Sequence, residues 1–268
     1  MRFLLSRRWI LFGITVALLA VLAWRLGLWQ FHRLEDRKAT NAIIERNLAG
    51  TPTPVDQVLA PGRPVDKQDQ WRRVVASGTY DPANTVLVRY QTRDGAAGVD
   101  VVVPLVTPSG TALLVDRGWL AAENRGADVH DVPPPPAGEV TVTGWVRIDG
   151  SGSSTQVDDH SVRSVSSAAI GPVVGHPVYA GFVDLETESP AAATPLTVTE
   201  LPELNNGPHF FYGLQWWFFA LLAIFGFCYL AYDEWRGGPP LGSRRGSQTP
   251  RDPAVHRDDA SGDPARRV

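Results

Sequence analysis

Two long apolar runs frame a series of short alternating ones. Trp9–Trp24 contains no charged residue, and Phe210–Tyr232 has Gln215 as its one strongly polar side chain. A hydrocarbon core of ~30 Å takes about 20 helical residues. The second run meets that length outright. The first meets it once Phe3–Leu5 and Leu26–Trp29 are added and Arg25 snorkels to the interface. Trp9, Trp24 and Trp29 sit where an aromatic belt forms. The first run also has features of a secretory signal, with Arg2, Arg7 and Arg8 ahead of it and Val21-Leu22-Ala23 as a cleavage site. The helical pattern continues past Ala23, which favours an uncleaved anchor. Arg25–Leu48 lacks proline and predicts a helix running to about residue 48, where Gly50-Thr51-Pro52-Thr53-Pro54 stops it.

From Trp71 the period shortens to two. Val74–Tyr80, Thr85–Tyr90, Val99–Val106, Thr111–Trp119 and Val140–Ile148 are β-branched-rich runs. Asp81-Pro82, Arg93-Asp94-Gly95, Pro108-Ser109-Gly110 and Pro133–Gly138 separate them as turns. Pro177–Leu185 and Leu196–Thr199 are further strand candidates, and Asp149–Ser167 reads as a loop. Short strands at close spacing predict an antiparallel sheet or open barrel rather than βαβ units. Gly237–Val268, rich in Gly, Pro, Ser and Arg, reads as a disordered tail.

Charge orients this layout. Pro190–His209 holds no Lys or Arg, whereas Arg236, Arg244 and Arg245 follow the second run. The positive-inside rule then puts the C-terminus in the cytoplasm, and two spans put the N-terminus there too. The expected organisation is a cytoplasmic N-terminus (1–8), a first transmembrane helix (9–29, helical to about 48), an extracytoplasmic β-rich α+β domain (30–208), a second transmembrane helix (209–232) and a cytoplasmic tail (233–268). Residues 25–209 carry a net charge of −7 within an overall −3. A nucleic-acid partner is not expected from that balance. Only eight residues precede the first run, leaving no room for a mitochondrial transit peptide. A bacterial plasma membrane is therefore the expected location.

The chemistry is sparse. One cysteine, Cys228, excludes an intrachain disulfide and a cysteine zinc cage. There is no Gly-x-Ser-x-Gly elbow, no phosphate loop and no His-Glu-x-x-His spacing among the six histidines, so the chain does not read as an enzyme. Gly150-Ser151-Gly152 reads as a flexible loop. Trp29, Arg33 and Arg37 share a helical stripe that reads equally as a solvated face. His209, Tyr212 and Trp216 fall on one helix face at the outer mouth of the second run. That arrangement suits haem-iron ligation with rings packed on the porphyrin, and it equally suits an interfacial histidine in an aromatic belt. His32 is a weaker second-ligand candidate. Gln215 needs a partner inside the span: the first helix, another subunit or a ligand.

Four segments in order resemble the surfeit locus protein family (the Surf-one or Shy-one type), assembly factors for cytochrome c oxidase. Leu26-Gly27-Leu28-Trp29-Gln30-Phe31-His32-Arg33 is similar to its Leu-Gly-x-Trp-Gln-x-x-Arg signature. Gly78-Thr79-Tyr80-Asp81 with Val86-Leu87-Val88 is similar to its Gly-x-Tyr/Phe-Asp strand pair. Pro104-Leu105 followed by Leu114-Val115-Asp116-Arg117-Gly118-Trp119-Leu120 is similar to its Pro-Leu and Val-Asn-Arg-Gly-Trp-Val block. Asn205-Asn206, His209, Tyr212, Gln215 and Trp216 are similar to its Asn-x-His-x-x-Tyr-Ala-x-Gln-Trp-Phe motif. The chain departs by inserting Gly207-Pro208, and by Gly213 for Ala and Asp116 for Asn. The resemblance implies haem a delivery to oxidase subunit one, with His209 as iron ligand and Tyr212 and Trp216 beside it. Expected partners are oxidase subunits, a haem a synthase or a respiratory supercomplex. The competing expectation is an accessory subunit, permanently bound to the oxidase and free of haem. Arg117 and Trp119 are expected to shape the outer domain near the membrane or simply to pack a strand end.

Overall fold

The computed structural model describes residues 2–122 and 128–237, arranged as two compact units: 2–30 with 211–237, and 31–122 with 128–210. The expected tail beyond Gly237 lies outside the described residues.

The first unit is a pair of apolar helix segments. Helix α1 spans Arg7–Leu48 and α3 spans His209–Trp235, and both are long and apolar enough to cross a membrane. Their contact is built from small residues facing aromatic ones. A Cβ on Gly27 would collide with the Trp217 ring, and Gly13 faces Phe227. Trp24 stacks on Trp217 at 4.9 Å, and Trp9 meets Phe227 edge-on at 5.6 Å. Outside that seam large apolar side chains are exposed, Leu18 at 66% and Phe225 at 68% among them. Water would not tolerate such a surface, whereas hydrocarbon would.

The second unit is a β-barrel with additions. Its strands are β1 (Thr53–Pro54), β2 (Arg73–Tyr80), β3 (Val86–Arg93), β4 (Ala96–Val106), β5 (Ala112–Ala121), β6 (Glu139–Arg147), β7 (Ser161–Val162) and β8 (Phe182–Ser189). The order β1-β2-β6-β8-β5-β4-β3-β7 is closed by a β2–β4 pairing, Thr79 with Val106 and Tyr80 with Leu105. The strands β2, β6, β8, β5 and β4 thus form a ring, so the barrel is closed rather than open. Most ladders are antiparallel as expected, but β1–β2, β3–β7 and β5–β8 are parallel. The parallel pair sets Asp116 beside Asp184, a juxtaposition no hairpin reading would supply.

Alternation decides what fills the ring. Val99, Val101, Val103 and Leu105 of β4 point inward with Leu113, Val115, Val183 and Leu185. The intervening Val102 and Leu114 face outward, under a second core that includes Ile170 and Val174 of a short helix α2 (Ser167–Val174). Helix α2 and β7 lie in or beside the stretch read as a loop. Its Ser- and Gly-rich composition hid them, because their order comes from tertiary contact. The expected strand Leu196–Thr199 is instead one bridge, Thr197 with Trp119, and the strand expected at Pro177–Leu185 begins only at Phe182. Helix α1 does run to Leu48. Its end is fixed where Asn47 Nδ2 donates to the carbonyls of Gln68 at 2.7 Å and Gln70 at 2.9 Å.

Candidate functional site

The segment 190–208 joins β8 to α3 without regular structure, and its two attachments determine where α3 begins. The first is at Thr197. Trp119 N–H donates to Thr197 O at 2.7 Å, and Thr197 N–H donates back to Trp119 O at 3.1 Å. Gly118 makes this approach possible: at φ +126 its absent Cβ would lie 2.5 Å from Thr197 O. Arg93 adds a clamp, its Nη1 donating to the carbonyls of Thr197 at 3.2 Å and Val198 at 2.8 Å. The second attachment is at Asn205. Its carbonyl accepts from Arg37 Nε at 3.1 Å and from Asn41 Nδ2 at 3.0 Å, both on the outer part of α1. Its side-chain oxygen accepts from Gly207 N–H at 3.3 Å, turning the chain into the helix. The signature blocks near residues 116–119 and 205–209 are therefore parts of one tether, with Arg37 and Asn41 one to two turns beyond the 26–33 block.

His209 is the first residue of α3 and is half-buried. Gly207, at φ +64, lies against its ring. A Cβ there would sit 3.3 Å from Cδ2 and 3.4 Å from Nε2, so glycine at this position lets the backbone pack close to the imidazole. Phe31 and Phe210 meet edge-on at 6.1 Å next to it. Tyr212 follows on the same helix and is 48% exposed. Trp216 is half-buried and edge-on to Phe219 at 6.0 Å. Trp29 is exposed and Gln30 half-buried within α1; Arg33 and His32 are exposed on its continuation. Gln215 is exposed, so the first helix is not its partner.

Arg117 and Trp119 have clear local roles. The indole of Trp119 lies over Gly98, and its Nε1 donates to Gln91 O at 3.3 Å. Arg117 is sealed inside the barrel, where Nη2 meets Glu188 at 3.4 Å and Nη1 donates to Pro133 O at 3.2 Å. Tyr80 donates to the same Glu188 carboxylate at 2.9 Å under the guanidinium. Burial, then the Glu188 charge, pushes the Tyr80 hydroxyl well above its ordinary range, so it stays a donor.

Sequence reasoning missed a carboxylate cluster on the outer barrel face. A cavity of about 300 Å³ is lined by Asp100, Asp116, Asp184, Arg93, Arg147 and Arg163, among others. Burial raises Asp184 to about 6, against the pull of Arg147, with which it forms an ion pair. Burial, then Asp100 and Asp184, holds Asp116 well above the carboxylate range. Burial also raises Asp100, against its ion pair with Arg93 at 3.0 Å. Arg93 therefore joins this cluster to the tether. The available signal was a lone acid inside a β-branched run, as in Val99-Asp100-Val101 and Val183-Asp184-Leu185. Among the described residues no group of three or more His, Cys, Asp or Glu is arranged to hold a metal ion.

The SURF1 family model matches residues 17–221, which takes in every element of this tether. The chain belongs to the SURF1 family. SURF1-like proteins of Mycobacterium tuberculosis and Mycobacterium bovis are 29% identical to it over 251 residues, covering 89% of this chain and 91% of each relative. The cytochrome oxidase assembly protein Shy1 of Saccharomyces cerevisiae is 26% identical over 135 residues, 47% of this chain and 34% of the yeast protein. The resemblance read from four short motifs thus extends across the barrel and into both apolar helices.

Proposed function

We propose that this protein is a membrane-anchored assembly factor for cytochrome c oxidase that hands haem a to subunit one, using His209 as the iron ligand. The assembly role is supported by membership of the SURF1 family and by the kinship with Shy1, a protein named for oxidase assembly. In this reading the two apolar helices cross a bacterial plasma membrane, both termini are cytoplasmic, and the barrel faces outward.

The observation that carries the haem reading is the way the chain builds the start of α3. Two attachments, at Thr197 and Asn205, fix the approach to His209, and glycine at 207 lets the backbone turn close beside its imidazole. A carrier must bind its cargo and release it. One histidine at a helix end, with Tyr212 and Trp216 following on the same helix, offers a single exchangeable ligand and flat aromatic surfaces. A fully enclosed pocket would hold the haem too firmly for transfer.

The test is a visible spectrum of tagged full-length protein purified from membranes of a haem-a-producing host, beside His209→Ala. The expected result is haem a absorption in the parent and its loss in the variant at equal protein yield. A colourless parent protein held at fixed stoichiometry by finished oxidase would replace the carrier with an accessory subunit.

A further inference from the structure

The outward stripe of α3 carries a polar group that the described residues leave uncovered. Phe211, Gln215, Phe218, Leu222, Phe225, Tyr229 and Tyr232 follow one another at alternating steps of four and three residues, and all are exposed. An apolar stripe of this spacing is what any lipid-facing helix shows. The amide of Gln215 is not: it meets no hydrogen-bond partner among the described residues. The comparison with α1 is direct. Its outward Thr15 is satisfied by its own helix, the hydroxyl donating to Leu11 O at 3.0 Å. A glutamine amide has two donors and an acceptor and cannot be silenced that way. Lipid chains supply no partner either, and the amide lies about 9 Å along the helix from His209.

We infer that this stripe docks a second copy of the same chain, side by side and parallel, with the two Gln215 amides hydrogen-bonded to each other. This rests on the membrane reading above but not on haem binding. The argument for a second copy is depth. A two-fold axis along the membrane normal brings each residue opposite its own counterpart, so an amide necessarily meets an amide at the same level. The pair is self-complementary, each side chain donating and accepting once. A polar residue at one inward position of a four-three seam also fixes register and number of strands. The seam from Phe211 to Tyr232 is about 32 Å long, enough to run the full hydrocarbon thickness. The other side of α3 already packs on α1, where Trp217 stacks on Trp24 and Phe227 meets Trp9, and Leu221 and Ile224 flank a groove beside that contact.

The test uses the full chain in its native membrane, in a Cys228→Ala background. Single cysteines are placed on the stripe (Phe218→Cys, Leu222→Cys, Phe225→Cys) and off it (Leu221→Cys, Ile224→Cys), then oxidised and run on a non-reducing gel. The expected result is dimer at the three stripe positions, several-fold above the other two. Adding Gln215→Leu to Leu222→Cys should weaken dimerisation about three- to twentyfold, the span measured for interhelical hydrogen bonds in membranes. Equal or absent dimer at all five positions overturns the proposal and leaves the amide snorkelling to the interface. Cross-links from the stripe to a different membrane protein overturn the second copy in favour of that partner. An alkaline carbonate wash separates the failures. Protein that washes off the membrane defeats the membrane reading itself, whereas protein that stays and remains monomeric defeats only the dimer.

Discussion

Asp116 and Arg117 are neighbours on β5, both buried, and they point to opposite faces of the barrel wall. Arg117 enters the ring and finds a partner set made for it: the Glu188 carboxylate, the Pro133 carbonyl and the Tyr80 ring. Asp116 faces out and finds like charges, Asp100 and Asp184, with Gly118 N–H donating to its Oδ1 at 3.0 Å. The positive member is thus locked into a closed ion pair. The negative member belongs to a group that cannot all ionise cheaply, and whose counter-charges, Arg93 and Arg147, stand at its rim. The first arrangement is a bolt. The second responds to protons, and through Arg93 it reaches the tether that leads to His209.

The largest effect that sharpens this contrast is on the bolt. Arg117→Leu strands Glu188 without its counter-charge in a site where that side chain is 9% exposed. The expected loss is about 3–5 kcal/mol of unfolding free energy. Arg117→Met with Glu188→Leu should recover most of it, since a buried ion pair contributes little net stability over an apolar filling. Denaturant unfolding of the detergent-solubilised full chain reads both. A loss below about 1 kcal/mol for Arg117→Leu would mean the pair is not a bolt at all.

This contrast also marks what the sequence can reveal. Five of the barrel strands, the length of α1 and the start of α3 follow from period, turn residues and a Gly-Thr-Pro stop. Each of those signals is local. The parallel β5–β8 pairing is not, because it joins segments far apart in the chain, and so the Asp116–Asp184 contact was out of reach. Arg117 could be picked out by motif, and alternation puts it on the side of Leu113 and Val115, but its partner Glu188 lies far along the chain and comes to it only in the fold. His209 was legible because a histidine at the edge of a long apolar run is conspicuous. The tether that positions it was not, since Arg37 and Asn41 resemble any solvated helix face until Asn205 is folded onto them.

A second expectation concerns the proton-sensitive side. Asp184 is raised in the folded chain to about 6 from an ordinary 3.8, chiefly by burial. Between those values the folded state holds a proton that the unfolded state has lost. Stability from this cluster should therefore fall as pH rises from about 4 to about 6, then level off. The expected drop is on the order of 3 kcal/mol. Unfolding curves of the full chain across pH 4 to 7 measure it, and Asp184→Asn should flatten the slope. A slope of the opposite sign from this cluster would put Asp184 with the salt-bridged carboxylates and erase the distinction from Arg117.

The smallest effect is local and falls on the tether. Arg93 is held by Asp100 while it grips Thr197 and Val198. The Asn205 attachment relies on Arg37 and Asn41, which touch none of the raised carboxylates. Arg93→Ala should speed proteolytic cutting between residues 190 and 208 by about tenfold, the response of a segment whose local opening has become easier by little more than 1 kcal/mol. Asn41→Ala should speed it by about threefold. In the parent chain cutting should be faster at pH 4 than at pH 7, after correction against a reference peptide, because burial raises Asp100 above its ordinary 3.8, so that it takes up a proton early on acidification and then steadies Arg93 less. Arg93→Ala should abolish that pH difference, and Asn41→Ala should preserve it. If both variants preserve it, the carboxylate cluster is uncoupled from the tether, and its raised proton affinity acts on barrel stability alone.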